Sequence, residues 1–128
     1  MILDSNFLVH LERERRRQKT GPASAFLLSH SGEPLFVTPT IAGEIAAGES
    51  MADVGLWKAF IGVFQLLEIV DEVSWRYGQV YRHLRAKGEM IGQNDLWIAA
   101  TALTCGRSIV TRNTGEFSRV PGLNVLSF

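Results

Sequence analysis

The chain reads as an α/β domain with a mainly parallel sheet flanked by helices, and three observations predict that class. Short apolar runs at Met1–Leu3, Leu35–Thr38, Leu66–Val70, Ser108–Thr111 and Leu123–Leu126 alternate with helical patterns, the rhythm of strand-crossover-strand units. The segment from Leu96 to Cys105 is apolar or small at nearly every position. A helix with no solvent side belongs in the middle of a domain. Finally, 128 residues at 46% hydrophobic and 20% charged content suffice for one core without staples. No repeat, linker or low-complexity tract divides residues 1–128, which are expected to form a single domain.

The first run, Met1–Leu3, is a buried strand stopped by Asp4-Ser5-Asn6. Phe7, Leu8 and Leu11 then mark one side of a helix. That helix runs out into Glu12-Arg13-Glu14-Arg15-Arg16-Arg17-Gln18-Lys19, either a solvated end whose basic residues suit the C-terminal dipole or a phosphate-attracting rim. Gly21-Pro22 breaks the chain before a short helix over Ala23–Ser29, with Phe26 and Leu27 toward the core. Leu35–Thr38 is the second strand. Pro39-Thr40 opens the next helix, a proline suiting a first turn and a threonine a cap, and this helix carries Ile41, Glu44 and Ile45 to Gly48.

Asp53 begins another helix, with Trp57, Phe60, Ile61 and Phe64 as an apolar stripe of core or partner surface. Leu66–Val70 is a third strand or an extended connection. Asp71-Glu72 starts a long amphipathic helix. Val73, Tyr77, Val80, Tyr81 and Leu84 form its apolar face, Gln79, Arg82 and Arg85 its polar one, and Gly88 its end. The central helix follows and closes at Gly106. Asn94 or Asp95 would serve as its N-cap. Ser108–Thr111, a turn anchored by Phe117 and Val120, and the strand Leu123–Leu126 complete the chain.

Composition excludes several classes. Thirteen basic and thirteen acidic residues balance, so any polyanion must be held by a local patch. Cys105 is the single cysteine, expected to be a buried small side chain with no disulfide partner. No basic leader precedes Met1-Ile-Leu-Asp4, and no apolar run approaches the roughly 20 residues of a membrane span. A cytoplasmic protein is expected.

Ligands of open parallel sheets gather outside the carboxyl ends of the strands. Asp4, the Thr38–Glu44 segment and the loop Arg112-Asn113-Thr114-Gly115-Glu116 all follow strands, and the opening of the central helix brings Asp95 to the same edge. Clustered carboxylates repel unless a cation joins them. An oxygen-only set suits Mg²⁺ or Mn²⁺ rather than zinc. His10, His30 and His83 lack ligand spacing, and neither a Gly-rich phosphate loop nor a serine-nucleophile motif is present.

Four blocks in order, Ile2–Asn6, Thr40–Ile45 with Gly48, Gly92–Ala100, and Val110–Asn113 through Phe117, resemble the PIN domain, most closely the VapC-type toxins of bacterial toxin–antitoxin pairs. The likeness covers essentially the whole chain. It implies a PIN-like three-layer domain and a Mg²⁺- or Mn²⁺-dependent endoribonuclease that cleaves RNA phosphodiester bonds with metal-activated water. A small cognate antitoxin, VapB-like, would inhibit it, and homodimers are usual. Asp4, Glu44 and Asp95 match the family's acidic metal-site residues, and Asn6 the polar residue that orients the first aspartate. The fourth acidic position falls on Asn113, a neutral amide, with Glu116 as its stand-in. Thr111 is a supporting residue. Arg112 is the first candidate for a phosphate contact, followed by Arg82, Arg85 and Lys87. The alternative is a catalytically weak PIN-fold module that acts by holding a protein or RNA partner. A phospho-accepting receiver-like domain would want an acceptor Asp and a late Lys where this chain has Thr38-Pro39 and Arg112.

Overall fold

The computed structural model describes residues 1–128. Five short strands, β1 (Ile2–Leu3), β2 (Phe36–Val37), β3 (Gln65–Leu66), β4 (Ile109–Val110) and β5 (Val125–Leu126), form one sheet in the order β3-β2-β1-β4-β5. Every pairing is parallel, with Ile2 facing Phe36 on one side and Ile109 on the other. Successive strand residues point to opposite faces. Both Ile2 and Leu3 are fully buried, as are Ile109 and Val110, so helices cover the sheet on both sides. That makes three layers. The edges are less protected, with both residues of β3 exposed.

Between β1 and β2 the chain forms α1 (Ser5–Arg16) and α2 (Pro22–Ser29). After β2 come α3 (Pro39–Ala46), a 3₁₀ turn (Glu49–Met51) and α4 (Val54–Ile61). The crossover from β3 to β4 uses α5 (Asp71–Lys87) and α6 (Gln93–Cys105), and α7 (Thr114–Phe117) joins β4 to β5. The start of α1 follows directly from sequence: Asp4 is its N-cap, and Phe7, Leu8 and Leu11 are its buried face. In α3 the cap is Thr38 rather than Thr40, its Oγ1 accepting from the Ile41 amide at 3.2 Å while Pro39 occupies the first turn. The α4 stripe is core: Phe60 and Phe64 are buried, and Trp57 Nε1 donates to the Ala42 carbonyl at 3.0 Å.

Helices α5 and α6 end at Gly88 (φ 65°) and Gly106 (φ 61°), left-handed caps that glycine adopts without Cβ strain. They pack side by side, with the Tyr77 and Trp97 rings stacked at 4.1 Å. Leu96 and the run from Ile98 to Ala102 are buried in α6, so the apolar helix is central as expected. Two expectations for it are corrected. Gly92 occupies the cap position without a side-chain bond, leaving Asn94 and Asp95 inside the first turn. Cys105 is exposed, because the last turn of α6 runs on past Ala102, the last of its buried residues. Tyr81, assigned to the apolar face of α5, is also exposed. No helix is long and apolar enough to cross a membrane.

Candidate active site

Strand β1 lies at the centre of the sheet, where the connections turn toward β2 on one side and β4 on the other. Such a switch point opens a crevice at the carboxyl ends of the strands. Asp4 follows β1, Glu44 lies on the helix after β2, and Thr111–Glu116 follow β4. The first turn of α6 adds Asn94 and Asp95 to the same edge, where Asn94 reaches Glu44 and Asp95 meets Asn113.

Asp4 is buried, only 4% exposed. Its Oδ1 accepts from the Ser5 amide at 2.7 Å and the Ser5 hydroxyl at 3.3 Å, and its Oδ2 from the Thr111 hydroxyl at 2.8 Å. Thr111 Oγ1 in turn accepts from the Asn113 amide at 2.9 Å. One fully buried hydroxyl thereby ties the loop after β4 to the carboxylate after β1. Asn6, expected to orient Asp4, is exposed on α1, and Ser5 and Thr111 do that work instead. Burial pushes the Asp4 carboxyl upward and the Glu44 charge adds to it, while the bonds from Thr111 and Ser5 oppose the rise.

Glu44 accepts from Asn94 Nδ2 through Oε1 at 2.9 Å, and its Oε2 is buried without a partner. An unpaired buried carboxylate oxygen is costly in a folded protein. Asp95 is half-buried and accepts from Asn113 Nδ2 at 3.3 Å. Its carboxyl is pushed up to about 7. Burial is the largest cause, followed by a hydrogen bond shared with Glu116 and the charges of Asp4, Glu116 and Glu44. Glu116 moves the other way, lowered by the same shared bond, by Asn113, by the Gly92 amide and by Arg119, with burial opposing. The two carboxyls thus shift in opposite directions, Asp95 up and Glu116 down, with Asn113 beside both.

The structure thus brings together Asp4, Glu44, Asp95, Asn113, Glu116 and Thr111. Arg112 is exposed beside this group, its Nη1 at 3.4 Å from His10 Nε2 and its guanidinium 4.8 Å over the Phe128 ring. Arg85 and Lys87 are exposed at the end of α5 and make no bond to the acids, and Arg82 lies over the Trp75 ring. Two functional contributors were missed. Asn94 holds Glu44, and Arg119 both lowers Glu116 and donates to the Met90 carbonyl at 3.1 Å, tying α7 to the segment that enters α6. The signal for Asn94 was its place beside Asp95 in a first turn, where a cap is the simpler reading.

As chemistry, this is a hard-oxygen site. No three of the acids converge into a ready-made coordination shell. Mg²⁺ does not need one: it keeps several waters and binds through one or two carboxylates plus substrate phosphates. The orphaned Glu44 oxygen, and the burial and neighbouring charges that raise Asp4 and Asp95, suit a cation-binding role for these residues.

Comparison with known proteins agrees with this architecture. The PIN domain family model matches residues 1–123. Ribonuclease VapC1 of Rickettsia felis is 30% identical over 135 aligned positions, covering 99% of this chain and 95% of its own length. Ribonuclease VapC1 of Haemophilus influenzae (strain R2866) is 26% identical, covering 95% and 92%. Among solved structures, VapBC2 from Rickettsia felis bound to a promoter DNA fragment superposes with a TM-score of 0.80 at 20% identity, covering 99% and 97% of the two chains. FitAcB from Neisseria gonorrhoeae gives 0.78 at 22% identity, covering 98% and 95%. The chain belongs to the PIN-domain family, in its VapC ribonuclease branch.

Proposed function

We propose that this VapC-family ribonuclease is the toxin of a toxin–antitoxin pair, cutting RNA as an endonuclease with Mg²⁺ or Mn²⁺ at the edge formed by Asp4, Glu44 and Asp95. Two observations carry the reading together: burial, a hydrogen bond shared with Glu116 and then the charges of Asp4, Glu116 and Glu44 raise the Asp95 carboxyl to about 7, while a buried Glu44 oxygen has no partner. Acids arranged this way destabilise one another until a cation arrives.

Asp4, Glu44 and Asp95 would hold that cation, with Glu116 and the Asn113 amide oxygen beside them. When bound, it supplies Lewis acidity that makes water a nucleophile near neutral pH and offsets charge on the phosphodiester. Ser5 and Thr111 keep Asp4 in one orientation, and Asn94 does the same for Glu44. Because the Asp95 carboxyl is raised to about 7, holding a cation there would favour its deprotonated form, so metal affinity would rise with pH. Arg112 offers a guanidinium to the substrate phosphate from the loop between Thr111 and Asn113. The base set is read from unpaired loops, where RNA exposes its edges.

Three of the structural neighbours are VapBC complexes, two of them with DNA. By analogy this chain pairs with a small VapB-like antitoxin, forms a homodimer and works in the cytoplasm. The test is incubation of the purified protein with structured RNAs under Mg²⁺, Mn²⁺ or EDTA, beside Asp4→Asn and Asp95→Asn. Discrete cuts that need metal and vanish in both variants are expected, with circular dichroism unchanged. No cuts, together with no metal binding by calorimetry, would replace this reading with the weakly catalytic binding module.

A further inference from the structure

Helix α1 has a second pattern beside its buried face. Asn6, His10, Arg13 and Arg17 recur at intervals of four, three and four, which places them on one side of the helix. The stripe begins beside Asp4 and runs outward past the end of the helix to Lys19. Arg13, Arg17 and Lys19 are exposed.

The carboxylates nearby are already engaged. Glu14 lines the same cleft as Arg13 and Arg17, but its carboxylate is held by the start of α2, accepting from the Ala23 amide at 3.0 Å and the Ser24 amide at 2.8 Å. Glu12 pairs with Arg16 at 3.5 Å, the chain's one ion pair. Arg13, Arg17 and Lys19 are left with no acidic partner. Arg112 joins them from the loop after β4, its guanidinium facing the His10 ring nitrogen at 3.4 Å. The field is felt at His10, which is pushed down by burial and then by Arg112 and Arg13, with Glu14 opposing.

Two clefts make the stripe continuous with the acids. One, about 470 Å³, is bounded by Ser5, Asn6 and Glu44 together with His10 and Arg13. The next, about 250 Å³, shares His10 and Arg13 and continues past the engaged Glu14 to Arg17 and Lys19. Neither touches Arg85 or Lys87. Arg13 and Arg17 are four residues apart, about 6 Å along the helix axis, so an extended strand can meet them in turn.

We propose that Arg112, Arg13, Arg17 and Lys19 form a phosphate track that carries the RNA strand away from the scissile bond along α1. The track rests on the ribonuclease reading above, and it answers how a chain of zero net charge holds a polyanion. RNA is the occupant because the cleft opens into the acid edge and its free cations are spaced along a line rather than clustered.

The experiment uses full-length Asp95→Asn, which should bind without cutting, and a fluorescein-labelled RNA hairpin with a mixed-sequence unpaired loop. Anisotropy titrations over a range of KCl give affinity and its salt slope. Each single-strand phosphate contact contributes about 0.7 to that slope, so Arg13→Gln, Arg17→Gln and Lys19→Gln together should lower it by about 2 and weaken binding on the order of 100-fold at 0.1 M salt. Arg107→Gln, at an exposed position on the amino end of β4, should change neither. Arg13→Lys with Arg17→Lys should retain the slope, which separates lost charge from lost folding, and melting curves check the triple variant. Unchanged affinity and slope in the triple variant would overturn the track while leaving cleavage by the parent protein intact. A parent that neither binds nor cuts overturns both the track and the ribonuclease reading.

Discussion

Asp95 makes a stability prediction that needs no substrate. Its carboxyl is raised from an ordinary 3.8 to about 7, so between those values the folded chain binds a proton that the unfolded chain releases. Stability therefore falls as pH rises through that window. Three pKa units correspond to about 4 kcal/mol; because Asp95 is half-exposed, solvent screening reduces this to about 2 kcal/mol. The lowered Glu116 carboxyl offsets a further part. For a chain of this size the expected loss is about 6 °C in Tm between mildly acidic and mildly alkaline buffer in EDTA. His10 has the opposite sign, since a lowered histidine adds stability as pH rises. The wild type must therefore be compared with Asp95→Asn, whose histidines are the same. The variant should show a flatter Tm-versus-pH curve and be the more stable protein at alkaline pH without metal. Millimolar Mg²⁺ should recover part of the wild type's loss, because it binds the deprotonated site. Superimposable pH curves for the two proteins in EDTA would refute the argument that burial and the neighbouring acids raise the Asp95 carboxyl.

Two further substitutions probe the supports of the site. Thr111→Val removes the hydroxyl that donates to Asp4 at 2.8 Å inside a fully buried position; urea unfolding should show a loss of about 1–3 kcal/mol, with Thr111→Ser near wild type. Equal stability of Thr111→Val and wild type would remove Thr111 from the network. Glu14→Ala should cost about 1 kcal/mol, since it strips the only side-chain acceptor from the first turn of α2; no change in the unfolding midpoint would mean that water replaces it freely.

The acids were legible because each stands at a chemical boundary in the chain. Asp4 ends an apolar strand, Glu44 lies on a helix opened by Thr38-Pro39, and Asp95 begins a helix with no polar face. A parallel sheet then sends all of these boundaries to one edge. Their partners were less legible. Asn94 reaches Glu44 across 50 positions and Thr111 reaches Asp4 across 107, and no spacing rule joins residues so far apart. Cys105 was misjudged because an apolar composition says that a helix is central without saying where its covering layers stop. Asn6 was expected to orient Asp4, but the backbone amide and hydroxyl of Ser5, the first residue of α1, lie against that carboxylate instead.

What the sequence determined by itself was local and periodic: the strand runs, the helix faces, the glycine stops at Gly88 and Gly106, and the order in which the acids appear. Those features depend on backbone geometry and on the alternation of apolar and polar residues within a few turns. Tertiary structure decided which carboxyls are buried beside one another, which oxygen is left without a partner, and which cations stay free along α1. Burial and Coulomb forces depend on separations in space, and the fold sets those separations between residues that the chain keeps far apart.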